Sequence, residues 1–448
     1  MPKSQSQSQE IKYEEQNTMT PLNTPPVILY HYPYSPYARR VVWYLRLRGI
    51  SYMQCLQPPT LPRPDLSTHL ALAYRRIPLL AVGRDLYLDT RLILHKLEAL
   101  WPESHTSLGM SPSLPDPLPR DNLPRDQGVA HTEKQKQAPL GAPPGTDALA
   151  LQRLLSVLTT STDLFFRAAA LLPAETLPLL RDPKFQRDRR DFFGGGGSST
   201  TDGQDARGVV VDDSSSASPG KEEDQSRAFE AAATKAEALR EIHDVMSFLE
   251  DTLLADGRAW ILSSPGSSPS SSPDNDTSHP TLADIEAIWI IHWLLGLPGA
   301  LYDPAYIHRG RFPRVYAWVD RFQAAVTRAR ENVTVRDISG EEAGGILKGL
   351  NRNDIPMDTD ADTDTGPGTA YWEPEPTIDE TDPLVKIYGL QKGTPIEVWP
   401  TDSGVRHRDR GRLVGIGSEE VVWETEAGVR VHAPRHGFRV GLWREASL

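Results

Sequence analysis

Four polar stretches cut this chain into pieces before any fold is considered. SPSLPDPLPRDNLPRD begins at Ser111, GGGGSSTTDG at Gly194 and SSPGSSPSSSPDND at Ser263, and from Asn353 to Val385 there are ten acids with no Lys or Arg. Segments this poor in apolar residues cannot bury enough surface to offset the entropy of ordering them. The folded mass must lie between them, and 448 residues are enough for two or three domains. The acidity follows the same division. The run from 353 to 385, with the seven acids and two bases of 202–224, carries more than the whole net charge of −12, so the rest of the chain is slightly basic. Residues 27–103 hold ten bases and five acids, a balance that favours an anionic ligand without approaching the strongly basic surface of a nucleic-acid binder. The longest apolar stretch, Ile285 to Leu301, contains Glu286 and His292, which excludes an ordinary membrane span. No apolar h-region opens the sequence, and Cys55 stands alone, so a disulfide framework and an all-thiolate zinc site are excluded within one chain. A soluble, cytoplasmic protein with no metal, no membrane and no nucleic-acid partner is expected.

The division predicts a disordered segment 1–25, a compact unit 27–103, a linker 104–145, and a helical unit 146–335 with disordered insertions at 194–226 and 264–280. An acidic linker, 336–382, and a last unit, 383–445, follow. In the first unit the pattern reads strand (27–30), helix (36–48) and strand (51–56). A hairpin around Gly83-Arg84-Asp85 and a closing helix (90–100) complete it. That order is the order of a thioredoxin-like α/β fold. In the last unit PIEVWP, GRLVGIG, EVVWETE, VRVHAP and FRVGLW alternate with period two, which predicts a small SH3-like β-barrel. The chain is therefore expected to be multidomain.

Within the first unit, Ser35-Pro36 follows the first strand. Ser at the N-cap with Pro at the next position is a common way to start a helix. The same geometry can stabilise a bound thiolate. Lowering a thiol pKa by two units from about 8.5 takes about 2.7 kcal/mol. One charge-assisted hydrogen bond supplies about 1.5–3 kcal/mol and a helix N-terminus about 0.3–1 more. Ile77-Pro78 precedes a strand, and Asp89-Thr90 joins a strand to a helix as an N-cap or as a carboxylate for an ammonium group. Arg39 and Arg40 read as a solvated helix face, Cys55 as a buried apolar residue, and Trp289, His292 and Trp293 as helical core. His432 reads as a surface position on a strand, with no metal role.

The Ser-Pro turn, Arg76-Ile77-Pro78 and Asp89-Thr90 in this order resemble the amino-terminal domain of glutathione S-transferases. Pro280-Thr281-Leu282-Ala283-Asp284-Ile285 resembles the capping box that opens a core helix of that family's all-α carboxyl-terminal domain, with Thr281 and Asp284 capping reciprocally. PLLRDPKF and HWLLGLPGAL further resemble a fungal-type subgroup with low-complexity insertions. The resemblance implies conjugation of glutathione, as co-substrate, to an apolar electrophile in detoxification or secondary metabolism. It implies that Ser35 faces the sulfur, with Tyr34 or Tyr32 as alternatives, and that Ile77 before a cis Pro78 meets the cysteinyl part. Asp89 and Thr90 would hold the γ-glutamyl end, though the usual acidic-Ser pair is Asp-Thr here. Tyr37, Phe165 and Phe166 would line the pocket for a hydrophobic small molecule, and the family's habit implies a homodimer. The alternative is a non-catalytic scaffold that recruits a protein partner through the carboxyl-terminal barrel.

Overall fold

The strand β1 (Val27–His31) is buried along its whole length, as a strand covered on both faces must be. In the computed structural model, which describes residues 25–101, 139–193, 221–262, 279–349 and 374–444, its alternate side chains enter two separate cores. Val27 and Leu29 join one and Ile28 and Tyr30 the other. The helix α1 (Pro36–Leu47) crosses over to β2 (Tyr52–Leu56), which pairs parallel to β1. After the short α2 (Pro64–His69) come β3 (Leu79–Val82) and β4 (Asp85–Leu88), an antiparallel hairpin turned at Gly83 with φ +60°, and then α3 (Thr90–Leu100). The thioredoxin-like order read from the sequence is the observed one.

The helical unit comprises α4 (Asp147–Thr160), α5 (Leu164–Ala170), α6 (Pro178–Arg181), α7 (Pro183–Phe193), α8 (Lys221–Phe248), α9 (Leu282–Leu295) and α10 (Pro313–Ala329). α9 carries apolar residues on every side because it lies inside: each of its first ten residues, Leu282 to Ile291, is 4% exposed or less. Asp284 fixes its start. One carboxylate oxygen accepts from Thr281 N (2.8 Å) and Thr281 Oγ1 (2.7 Å), the other from Ile261 N (2.9 Å) and Trp318 Nε1 (2.8 Å). The capping residues read from the sequence thus also tie the loop before α9 to α10. Between the two units, Arg40 of α1 is fully buried, donating to Glu286 of α9 and to Thr90 Oγ1 (2.5 Å), with Trp289 under its guanidinium at 5.4 Å. The solvated face expected for Arg40 is therefore corrected: α9 covers it and supplies the carboxylate that makes burial tolerable.

Two expectations about the carboxyl-terminal third change. The segment expected as an acidic linker from residue 336 includes most of β5 (Val335–Asp337), which pairs parallel to β2, and α11 (Gly340–Gly349). α11 lies so close on α2 that a Cβ at Gly340 would fall 2.2 Å from Asp65 and one at Gly344 2.8 Å from His69. Its apolar residues Ala343 and Leu347 are buried, but spaced among glycines they give no periodic signal. After α12 (Pro383–Tyr388), the five strands predicted from the period-two pattern are present as β6 (Pro395–Pro400), β7 (Asp409–Ile416), β8 (Glu420–Glu424), β9 (Arg430–Pro434) and β10 (Phe438–Leu442). They do not stand as a separate barrel. β9 pairs parallel to β4, giving one ten-stranded sheet in the order β10-β6-β7-β8-β9-β4-β3-β1-β2-β5. β9 is consequently an interior strand. His432, read as a surface residue, is fully buried between Asp85 (3.1 Å) and Glu420 (3.1 Å), and Lys96 of α3 completes the chain to Glu420 (2.8 Å).

Residues 1–24 of the expected disordered amino terminus, 104–138 of the linker 104–145, 194–220 and 264–278 of the insertions 194–226 and 264–280, and 350–373 of the acidic linker lie outside the described residues. Residues 221–226, expected in an insertion, belong to α8. Among the described residues no helix is long and apolar enough to cross a membrane.

Candidate functional site

Three strand ends converge on one side of the first unit. At the end of β1 the chain turns through Tyr32–Ser35, with Ser35 N donating to Tyr32 O (3.0 Å), and Ser35 in extended conformation caps α1. Its Oγ accepts from Ala38 N at 3.2 Å, as the sequence predicts for an N-cap. This use occupies a lone pair and leaves the hydroxyl proton available to a further acceptor. Ser35 is 2% exposed, whereas Tyr34, the first alternative, is 47% exposed. Tyr32 and Tyr34 lie side by side with ring centroids 4.9 Å apart, and partial burial pushes the Tyr34 hydroxyl pKa up.

The Ile77–Pro78 peptide is cis and leads directly into β3. Beyond β4, Asp89 holds φ +68° and caps α3, its Oδ1 accepting from Arg91 N and Arg91 Nε, both at 3.0 Å, and its Oδ2 from Arg91 Nη2 at 3.1 Å. Burial would raise its pKa, but the charge and hydrogen bonds of Arg91, with Arg76 nearby, hold it below the usual carboxylate range. Thr90 is buried and its hydroxyl accepts from Arg40. Asp89 and Thr90 are thus brought together at the head of a helix, each with an internal partner.

The residues predicted to line an apolar pocket also meet. Tyr37, on the first turn of α1, packs its ring 4.8 Å from Phe165 of α5 and 4.7 Å from Trp289 of α9. Phe165 touches Phe166 (5.7 Å) and stacks on Trp293 (5.7 Å). Tyr37, Phe165 and Phe166 are all half-buried, so this cluster borders solvent beside the first turn of α1. Burial pushes the Tyr37 hydroxyl pKa well up, which keeps it a neutral donor. Trp289 and Trp293, expected as core, belong to the cluster as well.

Several long-range contacts of charged residues at this end were not singled out by the sequence. Arg76, beside the cis peptide, donates to Asp402 and to Ser403 O (2.8 Å) of the β6–β7 turn. Arg91 reaches His436 O at 3.5 Å. Each pairing spans more than 320 residues, and no local pattern could have revealed it. Cys55 is buried, and burial, with Asp65 close by, pushes its thiol up to about 12, so it stays protonated and is no nucleophile. Among the described residues no group of three or more His, Cys, Asp or Glu is placed to hold a metal ion.

Residues 29–105 match the family model for the glutathione S-transferase N-terminal domain, and residues 218–331 match a domain of unknown function (DUF7962). No curated protein matches the sequence. Among solved structures, a GST-like protein from Pseudomonas syringae is 20% identical with a TM-score of 0.52, over 94% of this chain and 100% of that one. The Tau class glutathione S-transferase of mango, Mangifera indica, is 13% identical (TM-score 0.38, 73% and 99% covered), and human glutathione-S-transferase T1-1 is 17% identical (0.37, 74% and 93%). The span shared with the Pseudomonas syringae protein is too long to stop at α11, so it includes the carboxyl-terminal strands. The chain thus carries a glutathione S-transferase-type N-terminal domain within a GST-like fold.

Proposed function

We propose that this protein binds glutathione across the ends of β1, β3 and β4 and presents its sulfur, at the start of α1, to an apolar electrophile in the aromatic cluster. The observation that carries the reading is the convergence of the Ser35 cap, the Ile77–Pro78 cis peptide and the Asp89–Thr90 helix start, with Tyr37, Phe165 and Trp289 beside the first of them. In this reading the Ser35 hydroxyl and the N-terminus of α1 lower the thiol pKa. Backbone groups around Ile77 align the cysteinyl part, and Asp89 with the first turn of α3 receives the γ-glutamyl end. Reaction is nucleophilic attack by the thiolate on the electrophile, with catalysis from thiol activation and proximity.

Calorimetry with glutathione and a conjugation assay with a generic electrophile test this, with Ser35→Ala beside the wild type. Loss of a charge-assisted hydrogen bond of about 1.5–3 kcal/mol predicts a roughly 10- to 100-fold slower reaction at neutral pH. The pH profile of the variant should also shift upward. Absence of binding at millimolar glutathione refutes the reading.

A second reading, a non-catalytic scaffold, is favoured by one set of contacts: Ser35 is almost fully buried, and Asp89 and Thr90 already have partners in Arg91 and Arg40. In that case the carboxyl-terminal strands serve as the surface for a protein partner. A partner captured by the full chain, together with no glutathione binding, would favour the scaffold.

A further inference from the structure

Residues 71–78, which present the cis peptide, belong to neither helix nor strand. Ala71 sits at φ +54°, a conformation that non-glycine residues keep only when their surroundings impose it. Every backbone amide in such a segment needs a partner. Two of these amides share one partner, more than 330 residues away in sequence. Asp409, the first residue of β7, accepts from Ala73 N (2.7 Å) and Tyr74 N (3.1 Å), both through Oδ1. The next turn is held the same way: Arg76 donates through Nε (3.2 Å) and Nη2 (2.8 Å) to Ser403 O and pairs with Asp402. Arg75 reaches Asp188 of α7, at 3.0 Å to its backbone oxygen and 2.9 Å to its carboxylate. Tyr74 stacks on Phe438 of β10.

Asp409 stands out in this set. It is 2% exposed, and among the described residues no Lys, Arg or His forms an ion pair with it. A carboxylate buried without a cation costs stability, and the side-chain hydrogen bonds Asp409 accepts among the described residues come from the amides of Ala73 and Tyr74, close before Ile77-Pro78. We propose that Asp409 is a positioning residue of the candidate site: with the Asp402–Ser403 turn, it makes the carboxyl-terminal sheet the frame that sets the Ile77 backbone for the cysteinyl part of glutathione. This rests on the glutathione reading above.

The test uses the full chain and glutathione itself. Asp409→Ala should weaken glutathione binding about tenfold, raising KM for glutathione with kcat at saturation unchanged. Amide exchange at Ala73 and Tyr74 should accelerate while β1 amides stay protected. Asp409→Asn, which keeps the single acceptor oxygen, should restore affinity to within about twofold. The proposal is overturned if Asp409→Ala speeds exchange at 73–74 yet binds glutathione as the wild type does, if exchange does not change, or if Asn fails as badly as Ala. Should Asp409→Ala not fold, Asp402→Ala, at a half-exposed side chain, is measured the same way: weakened binding supports the frame and unchanged binding overturns it. Wild-type protein that binds no glutathione refutes the function proposed above, and the exchange measurement still reads whether the clamp exists.

Discussion

The buried Arg40–Glu286 pair offers the sharpest test of how the first unit is held to the helical one. Arg40 is fully buried and Glu286 is 4% exposed. Glu286→Ala removes the one carboxylate that pairs with the guanidinium among the described residues and leaves its charge facing the Thr90 hydroxyl and the ring of Trp289. The backbone carbonyl of Glu286, which accepts from Thr159 Oγ1 at 2.9 Å, is untouched, and Ala is a good residue for a helix interior. The loss is that of a stranded interior charge, about 3–5 kcal/mol. With a urea m-value of about 3 kcal/mol/M, the midpoint should fall by roughly 1–1.7 M. Replacing both partners by apolar residues, Arg40→Met with Glu286→Leu, removes the charge along with its partner and should return most of the loss, to within about 1–2 kcal/mol of wild type. The assay is urea unfolding followed by tryptophan fluorescence and far-ultraviolet circular dichroism, with coincident transitions required before a single free energy is taken. If Glu286→Ala moves the midpoint by less than about 0.3 M, or if the double variant is as unstable as the sum of the two single ones, the reasoning is wrong.

Other consequences follow from the seam between β4 and β9. Burial opposes charge on His432, but its hydrogen bonds to Asp85 and Glu420 and their charges outweigh that and raise its pKa. A raised histidine stabilises fully below its unfolded value near 6.5 and loses that contribution as pH rises through the folded value, so wild-type stability should decline on the alkaline side and His432→Gln should flatten that limb in urea midpoints read from pH 6 to 9. Glu420 is raised by burial but pulled down more strongly by His432 and Lys96, to about 2, so its contribution is present above about 4.5 and is lost as pH falls toward 2; Glu420→Gln should reduce the acid loss. Burial pushes Asp409 up to about 7 against its two amide donors, so the folded state resists ionising it; stability should fall from pH 4 to 7, and Asp409→Asn should be more stable than wild type at pH 8 but not at pH 4, in the same measurement. Asp284→Ala strips four donors of their acceptor and should cost about 3–5 kcal/mol by urea unfolding.

Local chemistry was legible wherever a residue's role depends on its neighbours in sequence. Ser35-Pro36 starts a helix, Asp89 caps one and Thr281 with Asp284 opens α9, because capping is decided within four residues. The five carboxyl-terminal strands were legible for the same reason, since alternation belongs to each strand. Their partner was not. His432 read as a surface position on its strand, and only the pairing of β9 with β4 makes it an interior residue. Arg40 failed similarly: a charged residue on α1 looks solvated until α9, some 246 residues later, brings Glu286 to it. At the candidate site the capping residues were found, while Arg76, Asp402 and Asp409 were not assigned together because their contacts span more than 320 residues.

The parallel seam also sets a schedule for synthesis. Asp85 and its partner His432 are separated by 347 residues, so at roughly 5–20 residues per second β4 leaves the ribosome some tens of seconds before the strand that pairs with it exists. During that interval a bare strand edge is open to any other extended chain. A truncation that removes β9 leaves that edge unpaired for good.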